Sequence, residues 1–313
     1  MAGPAMQISW SVVITTRNRA KMLRRAIVSC LEQTSLCELI VVDEASTDET
    51  PQIVKEFADV RYFRNSSPLG HSAAANIGIK AASGDWIKPL DDDDWLAPNC
   101  IEAFTRALES ARARGFSPVV ISGGVVNVDE HEAVLSRQRG VAELPVALRS
   151  RALLELMMLD QAPIGTPVQV GHSRQAALDA GGWNEHRLFV HQHGDEAELW
   201  IELAAKGDAV FIPNEIAYRT HWAGGSQQCI LHEERFRSNI FLKDKIAEHL
   251  DERTPESIKS YLALHWAIIA AKGERFGPAF RLGCVWARRP ASISHLLNRR
   301  GLRDARGRLE PIE

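Results

Sequence analysis

The strongest constraint on the fold is a regular alternation of strand and helix patterns over the first hundred residues. Apolar runs rich in β-branched residues predict buried strands at Trp10–Thr16 and Glu38–Asp43, and two further strands are predicted at Val60–Arg64 and Asp85–Leu90. Apolar residues at helical spacing lie between these runs, and the last helix is predicted over Ser72–Ala82. Strands joined by helices pair in parallel through right-handed crossovers. The sequence therefore predicts an α/β fold with a mostly parallel central sheet flanked by helices.

One helix start is predicted from a local motif. Ser46 is followed three residues later by Glu49, which is the spacing of a capping box. The helix that this motif opens is expected to carry Ile53, Val54 and Phe57.

The composition is that of a globular chain that folds without a metal or a disulfide. Of the 313 residues, 45% are hydrophobic and 25% charged, and the formal net charge is −3. This balance argues against a nucleic-acid partner, which usually requires a basic excess. The five cysteines form no C-x-x-C pair. No apolar run is long enough to span a membrane and no signal-peptide pattern is present, so we expect a cytoplasmic location.

Polar side chains follow three of the predicted strands at the points where those strands end. Thr15–Arg17 lies at the end of the first strand, Asp43 at the end of the second and Asp91–Asp94 after the fourth. Because ligands of parallel sheets bind beyond the carboxyl ends of the strands, we expect these residues to share one site.

The four consecutive aspartates are the most unusual part of this site. On an extended backbone, Asp91 and Asp93 would point to one side and Asp92 and Asp94 to the other. Two carboxylates on one side suit Mg²⁺ or Mn²⁺ and leave positions on the ion open for a substrate's phosphates. The alternative is a solvated acidic loop.

Two other nucleotide-binding classes are disfavoured by missing motifs. The loop after the first strand reads TTRNRA, and the chain contains neither G-x-G-x-x-G nor G-x-x-x-x-G-K-[ST]. The sequence therefore argues against an NAD enzyme and a P-loop NTPase, and leaves open a nucleotide bound by other means.

The ordered motifs of residues 8–100 resemble those of the inverting family 2 glycosyltransferases, which have the GT-A fold. In chain order these motifs are TTRNR, SCLEQT, ELIVVDEASTD, ANIG, GDWI and LDDDD. A weaker match over residues 173–226 contains GGWNE, DEAELW and YRTH. The resemblance implies a Rossmann-like GT-A domain that binds a nucleoside-diphosphate sugar and a catalytic divalent cation, Mn²⁺ or Mg²⁺.

By position in these motifs, the resemblance assigns roles to individual residues. Asn76 would lie near the uridine and the phosphates, Asp91 would bind a ribose or donor-sugar hydroxyl, and Asp93 would bind the metal. His221 can join the metal as a further ligand. The residues expected to bind the nucleotide sugar are Thr15, Arg17, Asp43, Asn76, Asp91, Asp92 and Arg219.

The family's E-D pair, whose Asp is the catalytic base, is reversed here to Asp195-Glu196. When the register is kept by Leu199-Trp200, Glu196 occupies the base position, so we favour Glu196 over Asp195. A helix dipole at this point would favour the ionised form of either carboxylate. Alternatively, both acids only complement the start of the helix.

The acceptor is expected to contact Trp183, which follows a pair of glycines. Its ring could stack on an acceptor through its apolar face. The alternative is an aromatic side chain packed in the core. The family's W-x-R-L element reads W-x-E-L here, and we interpret Glu202 as a surface residue.

The last third of the chain is predicted to be helical, at residues 232–249, 257–272 and 278–288. We therefore divide the chain into a catalytic domain, 1–227, and a helical C-terminal region, 228–313. From Arg281 to Arg308 the chain has eight arginines and one acid. This basic tail could contact an anionic membrane surface or a lipid-phosphate acceptor. A solvated appendage or a dimer contact is the alternative.

Together these features predict a metal-dependent, inverting, non-processive glycosyltransferase. Processive relatives carry a Q-x-x-R-W motif, which this chain lacks. The donor is expected to be a UDP-sugar, and the acceptor a glycan, a lipid-linked glycan or a secondary metabolite. The alternatives are an inactive nucleotide-sugar-binding or scaffold protein and, less favoured, a sugar-nucleotide pyrophosphorylase.

Overall fold

The computed structural model describes residues 8–160, 162–185, 195–222, 232–272, 282 and 308–313, and it has a central sheet with helices on both faces. The strands are β1 (Trp10–Thr16), β2 (Glu38–Asp43), β3 (Val60–Arg64), β4 (Trp86–Asp91), β5 (Trp95–Leu96), β6 (Pro118–Asp129), β7 (Val134–Gln138), β8 (Val146–Leu148), β9 (Val170–Ser173), β10 (Asp208–His221) and β11 (Glu310–Pro311). The helices are α1 (Ala20–Leu31), α2 (Thr50–Lys55), α3 (His71–Ala81), α4 (Cys100–Ala113), α5 (Ser150–Met158), α6 (Arg174–Asp179), α7 (Asp195–Lys206), α8 (His232–His249) and α9 (Glu256–Lys272). The predicted fold class is confirmed.

The sheet has the strand order β11-β8-β10-β6-β9-β4-β1-β2-β3. Strands β4, β1, β2 and β3 are parallel, as the alternation predicts, and β6 is parallel to β10. Strand β9 runs antiparallel between β4 and β6. The first three strands have the predicted bounds. The fourth is shifted by one residue, because Asp91 still pairs with Thr15 of β1.

The predicted start of α2 is wrong. The helix begins at Thr50, and its N-cap residue, Glu49, makes no side-chain capping bond. The Ser46 hydroxyl instead accepts a hydrogen bond from the Asn18 N–H at 2.9 Å. Ser46 therefore connects the loop after β1 to the loop after β2, and a contact distant in sequence replaces the local cap.

The core has two layers, one on each face of the sheet. Val13 of β1 belongs to the layer that packs against α3, α5, α7 and α8. Val12 and Ile14 belong to the layer covered by α1 and α4. Helix α3 lies very close to β1, since a Cβ added at Gly78 would approach a Val13 methyl to 2.2 Å. This contact fixes α3, and with it Asn76, relative to the end of β1.

The described part of the C-terminal region shares a core layer with the rest of the fold. Ile246 of α8, Leu250 directly after α8 and Leu262 of α9 belong to the same apolar cluster as Leu203 and Phe211. Helix α8 has the predicted bounds and α9 begins one residue earlier than predicted. The domain boundary at 227/228 lies outside the described residues and stays a prediction.

The final residues return to the sheet instead of continuing the helical region. Strand β11 pairs with β8, and Ile312 is buried with its N–H donating to the Pro145 carbonyl at 3.1 Å. The predicted helix at 278–288 and most of the basic tail lie outside the described residues. Arg308, the last arginine of the tail, pairs with Glu155 of α5. Among the described residues, no helix is both long and apolar enough to cross a bilayer.

Candidate active site

Three strand ends meet at one edge of the sheet. Thr15 is level with Asp91 in the β1–β4 pairing, and Thr16 is level with Asp43 in the β1–β2 pairing. The Glu44 N–H donates to the Thr16 carbonyl at 2.9 Å, which extends the contact beyond the strands. The loops after β1 and β2 therefore adjoin the run of aspartates.

The four aspartates form a turn in which three carboxylates face one another. The Asp94 N–H donates to the Asp91 carbonyl at 3.2 Å, so the chain bends after β4 instead of staying extended. One carboxylate oxygen from each of Asp91, Asp93 and Asp94 lies within 4.8 Å of the other two. The expectation that Asp94 shares a side with Asp92 is wrong for this reason. The group of three offers the hard oxygen ligands that Mg²⁺ and Mn²⁺ prefer.

The three carboxylates repel one another in a partly buried setting. Burial raises the pKa of Asp94 well above its ordinary value, and the charges of Asp91 and Asp93 add to the effect. Burial and the charge of Asp91 likewise raise the pKa of Asp93. Burial opposes ionisation of Asp91 too, but a hydrogen bond and charge from His71 hold its pKa below the ordinary value. A divalent cation would relieve this repulsion.

Asp92 points away from the group of three and is buried. Its carboxylate accepts from the Thr16 hydroxyl at 2.7 Å, the Arg17 N–H at 3.3 Å and the Arg19 guanidinium at 2.7 Å. Burial raises the pKa of Asp92 to about 6, although Arg19 acts in the opposite direction. Asp92 therefore holds the loop after β1 in place through these three hydrogen bonds.

The Asp93 carboxylate is oriented by two residues, Trp222 and Arg19, that were not among the predicted site residues. The Trp222 indole N–H donates to its Oδ2 at 2.9 Å, and the Arg19 guanidinium lies 3.3 Å from the same oxygen. The guanidinium also lies 5.2 Å from the centre of the Trp222 ring. Arg19 ends the TTRNR motif and Trp222 directly follows the YRTH motif, but their contact requires β1 and β10 to end together.

The residues expected to bind the nucleobase and ribose differ in exposure. Arg17 is exposed and Thr15 is half-buried. Asp43 is buried, and its two oxygens accept from the Ser46 N–H at 2.8 Å and the Tyr62 hydroxyl at 2.5 Å. Burial raises the pKa of Tyr62, and its hydrogen bond to Asp43 adds to this effect. The Asp43 carboxylate therefore already has protein partners in this structure.

Asn76 contacts the loop that precedes α7. Its amide N–H₂ donates to the Trp183 carbonyl at 2.8 Å and to the Glu185 carboxylate at 2.7 Å, while its oxygen accepts from the Trp183 N–H at 2.8 Å. The side chain is buried. Gly182, at φ 79°, lies so near that an added Cβ would be 2.2 Å from the Asn76 oxygen. Asn76 therefore holds the backbone at Trp183 through both its N–H and its carbonyl.

Trp183 is 2% exposed and packs in the core. Its ring meets His71 edge-on at 5.1 Å and Trp200 at 5.9 Å. Together with Thr15, His71 and Asp91 it lines a small cavity at the sheet edge. Stacking of Trp183 on an acceptor stays a prediction, and the packing observed here is that of the core alternative.

Helix α7 begins at Asp195, and Glu196 in its first turn is half-buried. The side chain of Asp195 lies outside the described part of the chain. Two residues after Glu196, Glu198 accepts from the Asn184 amide at 2.5 Å and pairs with Lys245 of α8. The Glu202 side chain is 26% exposed and pairs with Lys245 and His249, each at 3.3 Å. These contacts orient α7 against α8.

The end of β10 brings Arg219 and His221 to the same edge of the sheet. Arg219 is half-buried, and its charge offsets a small part of the rise in the pKa of Asp94 that burial causes. His221 is exposed, with Nε2 2.8 Å from the Asn127 amide oxygen. Burial and the charge of Arg219 lower its pKa. Among the described residues the candidate metal-binding group contains Asp91, Asp93 and Asp94 and leaves His221 out.

Comparison with known proteins identifies the family. The model of Glycosyl transferase family 2 matches residues 11–173, which is just over half of the 313 residues. The chain belongs to this family and is a glycosyltransferase.

Relatives support this assignment. An uncharacterized glycosyltransferase of Rickettsia felis is 32% identical over 231 residues, which are 72% of this chain and 36% of that protein. The succinoglycan biosynthesis protein ExoO of Rhizobium meliloti is 35% identical over 136 residues, 42% of this chain and 38% of ExoO. The uncharacterized protein MT1568 of Mycobacterium tuberculosis is 28% identical over 270 residues, 82% of this chain and 80% of that protein.

Solved structures show the same fold. Residues 1–349 of S. aureus TarS in complex with UDP-GlcNAc superpose with a TM-score of 0.58 at 14% identity, over 90% of this chain and 92% of that chain. The complex of the same TarS segment with UDP has a TM-score of 0.56 at 15% identity, over 83% and 70% of the two chains.

Asn76→Asp should destabilise the protein although it hardly changes the side chain's shape. A carboxylate cannot donate to the Trp183 carbonyl or to Glu185, and it would place like charges together. We expect a loss of about 1–3 kcal/mol in the free energy of unfolding, measured by urea denaturation near neutral pH. The same change at exposed Asn99, the N-cap residue of α4, should not destabilise. Equal stability of Asn76→Asp and wild type would contradict this role of Asn76.

Asp92→Asn should reveal the titration of the buried Asp92. A folded-state pKa of about 6 lies above the unfolded value of about 3.9, so the folded protein binds this proton more tightly. The contribution of Asp92 to stability therefore falls as the pH rises from about 4 through about 6 and is constant above that. Relative to wild type, the free energy of unfolding of Asp92→Asn should rise over this interval, measured by urea denaturation in EDTA.

The control for this experiment is Asp59→Asn, because Asp59 is exposed. Its difference from wild type should not increase with pH over the same interval. A difference between Asp92→Asn and wild type that does not change with pH would contradict the assignment.

Proposed function

We propose that this glycosyltransferase transfers one sugar from a UDP-sugar to an acceptor hydroxyl, with inversion at the anomeric carbon and with Mn²⁺ or Mg²⁺ bound at the acidic turn. The observation that carries the proposal is the group formed by Asp91, Asp93 and Asp94, whose carboxylate oxygens lie within 4.8 Å of one another. It lies where the ends of β1, β2 and β4 meet, which is where parallel sheets bind ligands.

In this proposal Asp93 is the principal metal ligand, and Asp91 and Asp94 have oxygens within reach of the same ion. A bound divalent cation supplies positive charge where negative charge develops on the leaving diphosphate. The indole of Trp222 and the guanidinium of Arg19 hold Oδ2 of Asp93 and so fix the direction in which its carboxylate faces. His221 would join the ion as a further ligand through a ring nitrogen, and its Nε2 contacts the Asn127 amide oxygen in this structure.

The donor would lie across the ends of β1, β2 and β10. Thr15, Arg17 and Asp43 would hold the nucleobase and ribose, while Asp91 and Arg219 would contact the sugar and diphosphate. The choice of UDP is supported by the TarS structures, which share the fold and contain UDP and UDP-GlcNAc. The two remaining members of the predicted donor set, Asn76 and Asp92, would shape this site through the loops that they hold.

The base in this proposal is Glu196, with Asp195 as the alternative. The acceptor oxygen would form a bond to the anomeric carbon as the bond from that carbon to the diphosphate breaks. The proton of the acceptor hydroxyl passes to the carboxylate, and the nucleoside diphosphate leaves with the bonding electrons. Both acids stand in the first turn of α7, where the helix dipole favours the ionised form that accepts a proton.

The proposal also covers the acceptor and the location of the enzyme. We propose a glycan, a lipid-linked glycan or a secondary metabolite as acceptor, a single transfer in each encounter, and a cytoplasmic enzyme whose basic tail contacts an anionic membrane surface. The charge of the tail, eight arginines against one acid from Arg281 to Arg308, supports the last point.

Asp93→Asn should abolish the metal-dependent binding of UDP. For wild type, a mixture of UDP and Mn²⁺ at about 100 times the dissociation constant should raise the free energy of unfolding by about 2.7 kcal/mol. Thermal unfolding should show this stabilisation for wild type and for Asp59→Asn, an exposed control, but not for Asp93→Asn. Full metal-dependent stabilisation of Asp93→Asn would contradict the metal assignment.

Glu196→Gln should lose transfer while keeping the donor bound. Removal of a general base typically costs about 10²–10⁴-fold in rate, whereas the stabilisation by UDP and Mn²⁺ should be unchanged. The measurement is UDP release from a panel of UDP-sugars, with water or an added acceptor. Asp195→Asn tests the alternative base, and Glu109→Gln, exposed on α4, is the control. Unchanged rates in both Glu196→Gln and Asp195→Asn would exclude this pair as the base.

A further inference from the structure

Arg25 of α1 reaches the backbone of the acidic turn. One of its terminal nitrogens donates to the Asp93 carbonyl at 2.8 Å and to the Thr220 hydroxyl at 3.0 Å. The other terminal nitrogen pairs with Glu132, in the turn after β6, at 3.1 Å. The Thr220 hydroxyl itself donates to the Asp93 carbonyl. The carbonyl of the principal metal-ligand candidate therefore has two donors, one from a helix and one from β10.

The Arg25 guanidinium is confined by aromatic packing. It lies 3.7 Å above the centre of the Trp95 ring, and Trp95 is stacked on Tyr218 with the ring centres 4.9 Å apart and the planes 6° from parallel. Helix α1 is anchored in the core by Leu23 and Ile27, which are fully buried. A planar guanidinium held against a ring, on a fixed helix, loses little further freedom when it binds the carbonyl.

We propose that Arg25 is a positioning residue for the metal site, acting together with Thr220 through the carbonyl of Asp93. This inference rests on the proposed function, in which Asp93 binds the cation. Arg19 and Trp222 contact the side chain of Asp93, whereas Arg25 and Thr220 fix the backbone from which that side chain projects. Without them the peptide at Asp93 could rotate, and the carboxylate would no longer face those of Asp91 and Asp94.

The competing explanation is that Arg25 contributes only to the overall stability of the protein. The neighbouring residue, Arg24, provides a control for this explanation. Arg24 pairs with Glu56 at 2.6 Å and lies 5.7 Å from the centre of the Phe57 ring. It thus makes the same two kinds of contact as Arg25, an ion pair and a cation–π contact, with residues that belong to no part of the site. Arg24→Met should change stability without changing metal affinity.

The experiment measures Mn²⁺ binding to the full chain by titration calorimetry, alone and with UDP present, and thermal unfolding of each variant in EDTA. Removal of residues that orient metal ligands typically weakens metal binding about 10–100-fold. We expect this loss in Arg25→Met. We expect a loss of the same kind in Thr220→Val, which keeps the side-chain shape and removes the hydroxyl. Arg24→Met and Thr220→Ser, which keeps the hydroxyl, should bind Mn²⁺ within about twofold of wild type, well under the typical loss.

The outcomes separate this proposal from the one on which it rests. Unchanged Mn²⁺ affinity in Arg25→Met or in Thr220→Val, while Asp93→Asn loses the metal, would overturn the role of Arg25 and leave the metal site in place. Unchanged affinity in Asp93→Asn, or no Mn²⁺ binding by wild type, would overturn both. An equal loss of affinity in Arg24→Met and Arg25→Met would assign the effect to stability alone. If Arg25→Met does not fold, the pair Thr220→Val and Thr220→Ser decides.

Discussion

The repulsion between four neighbouring carboxylates is the constraint on which the rest of the site depends. A turn with four ionised aspartates is unfavourable unless each charge has a partner. In this fold the four carboxylates are stabilised in different ways. Asp92 is turned inward to Arg19, and Asp94 accepts the Thr220 N–H at 2.8 Å. Asp91 and Asp93 keep oxygens at the sheet edge, where a divalent cation would offset the charge that remains.

The partners of these carboxylates come from outside the strand that carries them. Arg19 lies in the loop that leads into α1, Thr220 lies near the end of β10, and Trp222 directly follows that strand. Because the three segments lie in different parts of the sequence, the shape of the acidic turn is a property of the tertiary structure. The turn itself supplies one hydrogen bond, from the Asp94 N–H to the Asp91 carbonyl.

Local sequence patterns were sufficient for the strands and for the place of the site. The bounds of β1 and β2 follow from their sequences because buried parallel strands appear as short continuous apolar runs between polar loops. The bounds of β3 agree with the sequence as well, although β3 is an edge strand without a buried residue. The same kind of local reasoning failed at Ser46, whose hydroxyl binds Asn18 across two loops. It also failed for Asp94, because strand alternation does not extend into a turn. The contacts of Asn76 with the loop before α7 have no local signal, since they join residues 107 and 109 positions apart.

The position of strand β10 links the folding of this enzyme to the formation of its site. It lies between β6 and β8 within the sheet, and its last residues contact the aspartates, so one segment both completes the sheet and completes the site. The bond from Arg25 to Thr220 spans 195 positions in the sequence, and such distant contacts form late because their loop-closure entropy must be offset first. A chain that has folded only its first half would already contain all four aspartates, but not the partners that arrange them. The metal site should therefore form together with the last large step of folding. A partly folded chain, in which β10 has not yet joined the sheet, should not bind the cation.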